Sequence, residues 1–326
     1  MTDHRIFSTA PLRGEGLERL RALGEVTVDP WIDQHPLRLY NSAQLAERAG
    51  AEGATVLICE ADSCKGPVFE LPLTAIGSTR GDPTNVDLAG ATAAGIPVLR
   101  APGRNADAVA ELAVALTLAA TRGVVPADRD VREGAVYRDG SIPYQRFRGW
   151  QLAGRTVGIV GLGAVGRAAA WRFEGLGMRV ISADPFAADA THDLDDLLVE
   201  ADVVSMHAAV TPESAGLLSA ERFARMKPGS VYVNTARAGL HDLDALTAAL
   251  LDGHLAAAAL DHFEGESLAV DHPLVGLPNV VLTPHIGGAT YDTEANHTML
   301  MATGLEALLA GEVPPNLANP EVVGRG

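Results

Sequence analysis

The sequence predicts an α/β protein of two lobes, each built on a parallel sheet wrapped by helices. Three observations carry this. The chain has 326 residues, more than one ordinary hydrophobic core accommodates. Short apolar runs alternate with helical patterns in two separate stretches, the pattern of parallel strands joined by crossover helices. A glycine-rich turn, Gly161–Gly166, follows a buried-strand run at the head of the second stretch. Hydrophobic residues make up 47% of the chain and aromatics only 5%, a mix suited to small-residue helices packed on a sheet.

In chain order, strands are expected at Arg5–Ser8, Val26–Val28, Thr55–Cys59, Leu73–Ile76 and Pro97–Leu99. The helices between them are Leu17–Leu23, Ser42–Ala49 and Val86–Ala94. Ala108–Ala120 is apolar on most sides and reads as a long buried helix, a spine between lobes or a face against another subunit. Gly123–Trp150, rich in Gly, Pro and charge, reads as a connecting arm with little periodicity. The second set of strands is Thr156–Gly161, Arg179–Ala183, Val203–His207, Ser230–Asn234, Ala256–Leu260 and Val280–Thr283. A helix, Thr293–Leu309, and the Pro-rich stretch Pro314–Pro320 close the chain.

A formal charge of −16 argues against nucleic acid, which needs a clustered basic face, and against an anionic membrane surface. No run approaches the roughly 20 apolar residues of a membrane span, and no signal peptide is evident. Cys59 and Cys64 are too few for a disulfide framework and lack a matching pair for zinc, so no metal is expected. These features together place the protein in the cytoplasm.

The strand run Val157–Val160 leads straight into Gly161-Leu162-Gly163-Ala164-Val165-Gly166. Gly161 allows the tight turn, Gly163 lets backbone approach a pyrophosphate, and Gly166 lets the next helix pack closely. The amides of Ala164 and Val165 then face the phosphates at a helix N-terminus. Asp184 ends the following strand, where a carboxylate accepts the adenosine-ribose hydroxyls and repels a 2′-phosphate. NAD is therefore the expected cofactor in preference to NADP. A plainer role for Asp184 is to open the turn before Pro185.

Further segments follow in order: Met226–Gly229, Val233–Gly239, Ala259–Glu266 and Leu282–Gly288. With the glycine turn, they make the chain resemble the D-isomer-specific 2-hydroxyacid dehydrogenases over nearly its whole length. The resemblance implies an NAD-binding lobe, about 101–288, inserted into a smaller flavodoxin-like substrate lobe, 1–100 with 289–326. It also implies a homodimer. Removing hydride from a 2-hydroxy acid requires a base for the hydroxyl proton and a cation for the carboxylate. His285 suits the first role, because imidazole titrates near neutral pH. Glu266 would hold its other nitrogen, and Arg237 would fork the carboxylate. By resemblance these are the family's His, Glu and Arg. His207 and Thr211 map beside the adenosine end of the cofactor, and Thr235 and Ala236 line the nicotinamide side. Asp261 maps to the carboxamide acceptor, and Gly287 and Gly288 to the close backbone passage.

Two departures stand out. Many relatives have Val where this chain has His262, and Pro where it has Ser267. In the first lobe, Gly77–Asp87 replaces a loop whose amides bind the substrate carboxylate; Pro83 removes a donor, and Asp82 either turns outward or caps the next helix. Arg80 and Gly81 are substrate-binding candidates, with Arg80 placed to hold a second acidic group of the substrate; Lys65 and Arg104 are weaker candidates for that role. Two other functions remain open at this point. One is formate or phosphite oxidation, against which Glu266 speaks, since the formate enzymes pair their His with Gln. The other is a non-catalytic NAD-sensing interaction protein.

Overall fold

A computed structural model describes residues 4–323. The chain divides into two compact units: residues up to Arg104 together with those from Thr290, and Asn105–Ala289.

In the first unit β1 (His4–Ser8) leads through α1 (Glu15–Leu23) to β2 (Gly24–Val28), and α2 (Ser42–Ala51) leads to β3 (Val56–Cys59). α2 begins where the Asn41 side chain accepts from the amides of Ala43 and Gln44 while Gln44 accepts from the Asn41 amide. β4 (Ala75–Ser78), α3 (Leu88–Ala93) and β5 (Val98–Leu99) follow. All strands are parallel, in the flavodoxin-like order β2-β1-β3-β4-β5. β4 starts two residues later than the apolar run suggests, because its register pairs Ala75 with Val56. α3 starts late as well. Asp87 caps it by accepting from the Gly90 amide, while Val86 forms an isolated bridge with Cys64. Both cysteines are buried and free.

The second unit opens with α4 (Ala106–Arg122), α5 (Val124–Arg132) and the short α6 (Pro143–Arg146). The expected featureless arm is thus corrected: thirteen of its residues are helical, nine in α5 and four in α6. Gly123, at φ 59°, ends α4 in the left-handed region and lets the chain turn directly into α5. Beyond α5, Arg138 and Arg146 both pair with buried Asp130 and tie the arm together. α4 packs against the helix Ala164–Gly175 and the strands Val231–Asn234, Ala257–Leu260 and Val280–Leu282 of its own unit.

The order continues β6 (Thr156–Val160), α7 (Ala164–Gly175), β7 (Arg179–Ala183), α8 (Leu194–Glu200), β8 (Val203–Met206), α9 (Ala220–Arg225) and β9 (Val231–Asn234). Then come α10 (Leu243–Leu251), β10 (Ala257–Leu260), α11 (Pro273–Gly276) and β11 (Val280–Leu282). The parallel sheet runs β7-β6-β8-β9-β10-β11, with buried clusters on both faces. Burial on both faces explains why its strands read as continuous apolar runs instead of alternating ones. The strand order reverses between β6 and β8, so ligands are expected outside the C-terminal ends of these strands.

α12 (Tyr291–Leu309) belongs again to the first unit and lies on α1. A Cβ on Gly16 would come within 2.5 Å of the Met299 amide nitrogen, so only glycine allows these two helices to approach this closely. No single helix among the described residues is long and apolar enough to cross a membrane; α4 and α5 pass such a test only together, bent by 66°.

Candidate active site

The glycine turn forms at the predicted place. Gly161 has φ 92°, outside the strand, and a Cβ there would meet the Ala208 amide nitrogen at 2.5 Å. A Cβ on Gly166 would lie 2.0 Å from the Gly161 carbonyl oxygen, whereas one on Gly163 would project into open space. That space lies before the first turn of α7, whose amides, Ala164 and Val165 among them, have no side-chain cap. Unpaired amides with their positive helix end behind them fit a pyrophosphate.

Asp184 takes its expected place in the turn around Pro185 and also braces the glycine turn. Its Oδ2 accepts from the Leu162 amide at 2.7 Å and so braces the glycine turn. Its Oδ1 accepts from the Phe186 amide at 2.8 Å, forming the turn around Pro185. A carboxylate has about four acceptor positions, so two remain open on Asp184. Nearby, Arg167 is forked onto Asp189 at 2.6 and 2.9 Å. At the end of β8, His207 Nε2 lies 2.9 Å from Ser205 Oγ, and burial lowers the pKa of the ring to about 4, keeping it neutral. His207 Nδ1 and Thr235 Oγ1 have no protein partner among the described residues. Thr211 belongs to an exposed turn closed by Ser214, whose Oγ accepts from the Thr211 amide at 2.8 Å.

Arg237 follows β9. Asn234, at the end of that strand, shapes the loop through both ends of its amide: Oδ1 accepts from the Ala236 amide at 2.8 Å, and Nδ2 donates to the Arg237 carbonyl at 2.9 Å. The Arg237 side chain is exposed, with Nη1 donating to the Ala236 carbonyl at 2.6 Å.

Glu266 and His285 come together as expected. His285 Nδ1 lies 3.0 Å from each Glu266 carboxylate oxygen. A carboxylate only accepts, so Nδ1 carries a proton and Nε2, on the far side of the ring, presents its lone pair when the ring is neutral. Glu266 (φ 58°) and His285 (φ 55°) are two of three non-glycine residues with positive φ among those described. Such conformations persist only where surrounding contacts enforce them. For His285 the enforcing group is buried Asp261. Its Oδ1 accepts from Thr283 Oγ1 (2.6 Å) and the Ile286 amide (2.9 Å), its Oδ2 from the Gly287 amide (2.8 Å), and its carbonyl from the His285 amide (2.9 Å). A Cβ on Gly287 would press to 3.1 Å from Asp261 Oδ2, and one on Gly288 to 3.0 Å from Asn105 Nδ2, so both glycines serve close passage.

His262, known from sequence only as a departure, sits inside this group. Its ring centroid is 3.8 Å from that of His285, and its Nε2 is 3.5 Å from Arg237 Nη1. His262, Glu266 and His285 have donor atoms within 4.8 Å of one another, but the Arg237 guanidinium beside them opposes a cation there. Its place as the residue after Asp261 was the available signal; its contacts were not readable without the fold.

In the first unit, Arg80 Nε donates to the Glu60 carbonyl at 2.7 Å and Nη1 to Thr84 Oγ1 at 3.1 Å. Gly81 is half-buried, and Asp82 turns outward and is exposed; the helix cap is Asp87. Arg104 is committed to an ion pair with Glu60 and to His297 Nδ1 at 2.8 Å.

Strand-end loops thus gather a glycine turn of the dinucleotide-binding kind, a carboxylate–histidine pair and an arginine. Residues 114–287 match the family model for the NAD-binding domain of D-isomer-specific 2-hydroxyacid dehydrogenases. A glyoxylate reductase of Korarchaeum cryptofilum is 36% identical over 98% of this chain and 97% of its own length. The D-3-phosphoglycerate dehydrogenase of Mycobacterium tuberculosis is 41% identical over 72% of this chain, but this match spans only 45% of that protein. The structure of D-lactate dehydrogenase from Escherichia coli superposes with a TM-score of 0.76 at 26% identity, covering 97% of this chain and 99% of the other. The chain belongs to the D-isomer-specific 2-hydroxyacid dehydrogenase family. It is an NAD-dependent oxidoreductase of small 2-hydroxy or 2-keto acids.

Proposed function

We propose that the chain reduces a short 2-keto acid, with His285 as the proton donor, Glu266 as its orienting partner and Arg237 as the carboxylate anchor. The observation that carries this is the His285–Glu266 pair at 3.0 Å with Arg237 on the adjacent strand-end loop. NADH supplies the hydride. As the carbonyl carbon gains that hydride, His285 Nε2–H passes its proton to the carbonyl oxygen, and Glu266 stabilises the imidazolium before the transfer. Arg237 pairs with the carboxylate and draws charge toward the carbonyl oxygen. With the cofactor bound, Thr235 and Ala236 would line the nicotinamide side, with Asp261 behind them holding the His285 loop. Gly161–Gly166, Asp184, His207 and Thr211 would hold the rest of the dinucleotide.

In the first unit, Arg80 and Gly81 serve the substrate. With two nitrogens anchored, Arg80 presents a fixed cation suited to a second acidic group. Glyoxylate, pyruvate, hydroxypyruvate, 2-ketoglutarate and phosphohydroxypyruvate, each with NADH, test the reading by loss of absorbance. Turnover of the small monoanions supports it, and no turnover on any member sinks it. Arg80→Ala is expected to raise KM only for the dianions. Asp184→Ala is expected to shift selectivity from NADH toward NADPH by about tenfold or more, as loss of hydrogen bonds to a charged group implies. An unchanged KM ratio for the two cofactors would remove Asp184 from the ribose site.

We also propose a homodimer acting in the cytoplasm. Leu118, Val124, Val125, Val131 and Tyr137, exposed along α4, α5 and the arm, support an apolar contact between copies. The two free cysteines suit a reducing compartment. With a charge of −16, neither nucleic acid nor an anionic membrane is a partner.

A further inference from the structure

His262 is buried, yet it sits where four charged or titratable groups meet: Arg237, His285, Glu266 and Asp261. Arginine only donates, so the nitrogen facing Arg237 Nη1 must be an acceptor, and the ring is then neutral with its proton on Nδ1. A protonated ring would place a cation against the guanidinium and leave Nε2–H opposing it. Burial, His285 and Arg237 all act in the same direction and bring the pKa of His262 down to about 4. The 3.5 Å separation is at the outer limit of a hydrogen bond, and such contacts tighten when substrate draws the guanidinium into place.

We propose that His262 is a positioning residue for the reaction, its ring accepting from Arg237 and packing against His285 so that anchor and proton donor keep a fixed mutual angle. The inference rests on the roles given above to Arg237 and His285. Asn234 fixes the backbone of the arginine loop and Asp261 fixes that of the histidine loop; the His262 side chain touches both functional groups. A valine there fills part of the volume but offers no acceptor, and a glutamine offers a carbonyl oxygen near the place of Nε2.

Two measurements test this. In steady-state kinetics on the best keto acid, His262→Val is expected to raise the keto-acid KM about tenfold, as for one hydrogen bond to a charged group. Its kcat should fall as well, because anchor and proton donor lose their fixed mutual angle, while its KM for NADH should change little; His262→Gln should restore most of the lost affinity. Equal loss in the Val and Gln variants, an unchanged keto-acid KM, or an equal rise in the NADH KM overturns the proposal. Unfolding curves of each variant separate folding defects from these effects. The second measurement needs no turnover: histidine-selective 15N NMR of the wild type between about pH 5.5 and 8.5. His262 should stay neutral with Nε2 unprotonated across that range, and Arg237→Ala should relax the tautomer preference. A His262 ring that protonates within the range, or carries its proton on Nε2, overturns the inference even if the enzyme is active. An inactive wild type with the expected tautomer would instead count against the reaction assignment alone.

Discussion

Replacing His285 with alanine is expected to lower kcat about 10³-fold, the usual span for losing a general acid–base. NADH binding and the unfolding midpoint should stay close to wild type. The separation is argued from position. The His285 side chain is 42% exposed, so its removal opens no cavity, and its loop is held by Asp261 through backbone amides that alanine retains. Alanine meets the same positive φ that His285 already bears, so the backbone strain largely cancels in the comparison. Glu266→Gln should cost less than His285→Ala, because an amide can still orient the ring but cannot stabilise its charge. The pH dependence has a definite sign. Keto-acid reduction takes up a proton and oxidation of the hydroxy acid releases one, so raising the pH should favour oxidation over reduction. A kcat for His285→Ala within tenfold of wild type would show that another group delivers the proton.

Arg237→Ala should lower kcat/KM for the keto acid by about 10³-fold, comparable with removing a donor from an oxyanion site. Both terms should suffer, since the guanidinium binds the carboxylate and also polarises the carbonyl. Arg237→Lys should recover only part of the loss, because an ammonium replaces the charge but not the planar fork. The NADH KM should be preserved in both variants. The loop itself has independent support: Asn234 holds the Ala236 amide and the Arg237 carbonyl without using the arginine side chain. If the alanine variant raised the NADH KM and left the keto-acid KM alone, the anchor would lie elsewhere. Stopped-flow binding of NADH, compared with steady-state kinetics, separates the two cases.

The residues of the site were legible because of where they stand along the chain. Arg237, Glu266 and His285 all follow apolar strand runs, and in a parallel sheet the C-terminal strand ends share one edge. The glycine turn was legible for a similar reason: Gly161 and Gly166 meet constraints from their immediate neighbours, with Gly166 lying against the Gly161 carbonyl. The arm was less legible. Val124–Arg132 is helical although its sequence carries a proline and four charged residues, and beyond it the chain is tied by Asp130 with Arg138 and Arg146, contacts 8 and 16 residues apart. Periodicity within a short window carries no record of such ties.

By itself, the sequence determined the α/β class, the two runs of strands, the dinucleotide turn and the chemical types gathered at the strand ends. Each of these depends on local patterns of apolar residues, glycine and charge. Only the tertiary structure decided what those groups do to one another. Parallel pairing sets Leu260 beside both Asn234 and Leu282, so the loops after β9, β10 and β11 leave the sheet at one level. That register lets Asp261 bind the His285 loop and brings the His262 ring between Arg237 and His285. Contacts between residues about twenty-five positions apart arise from strand register, which no single stretch of sequence contains.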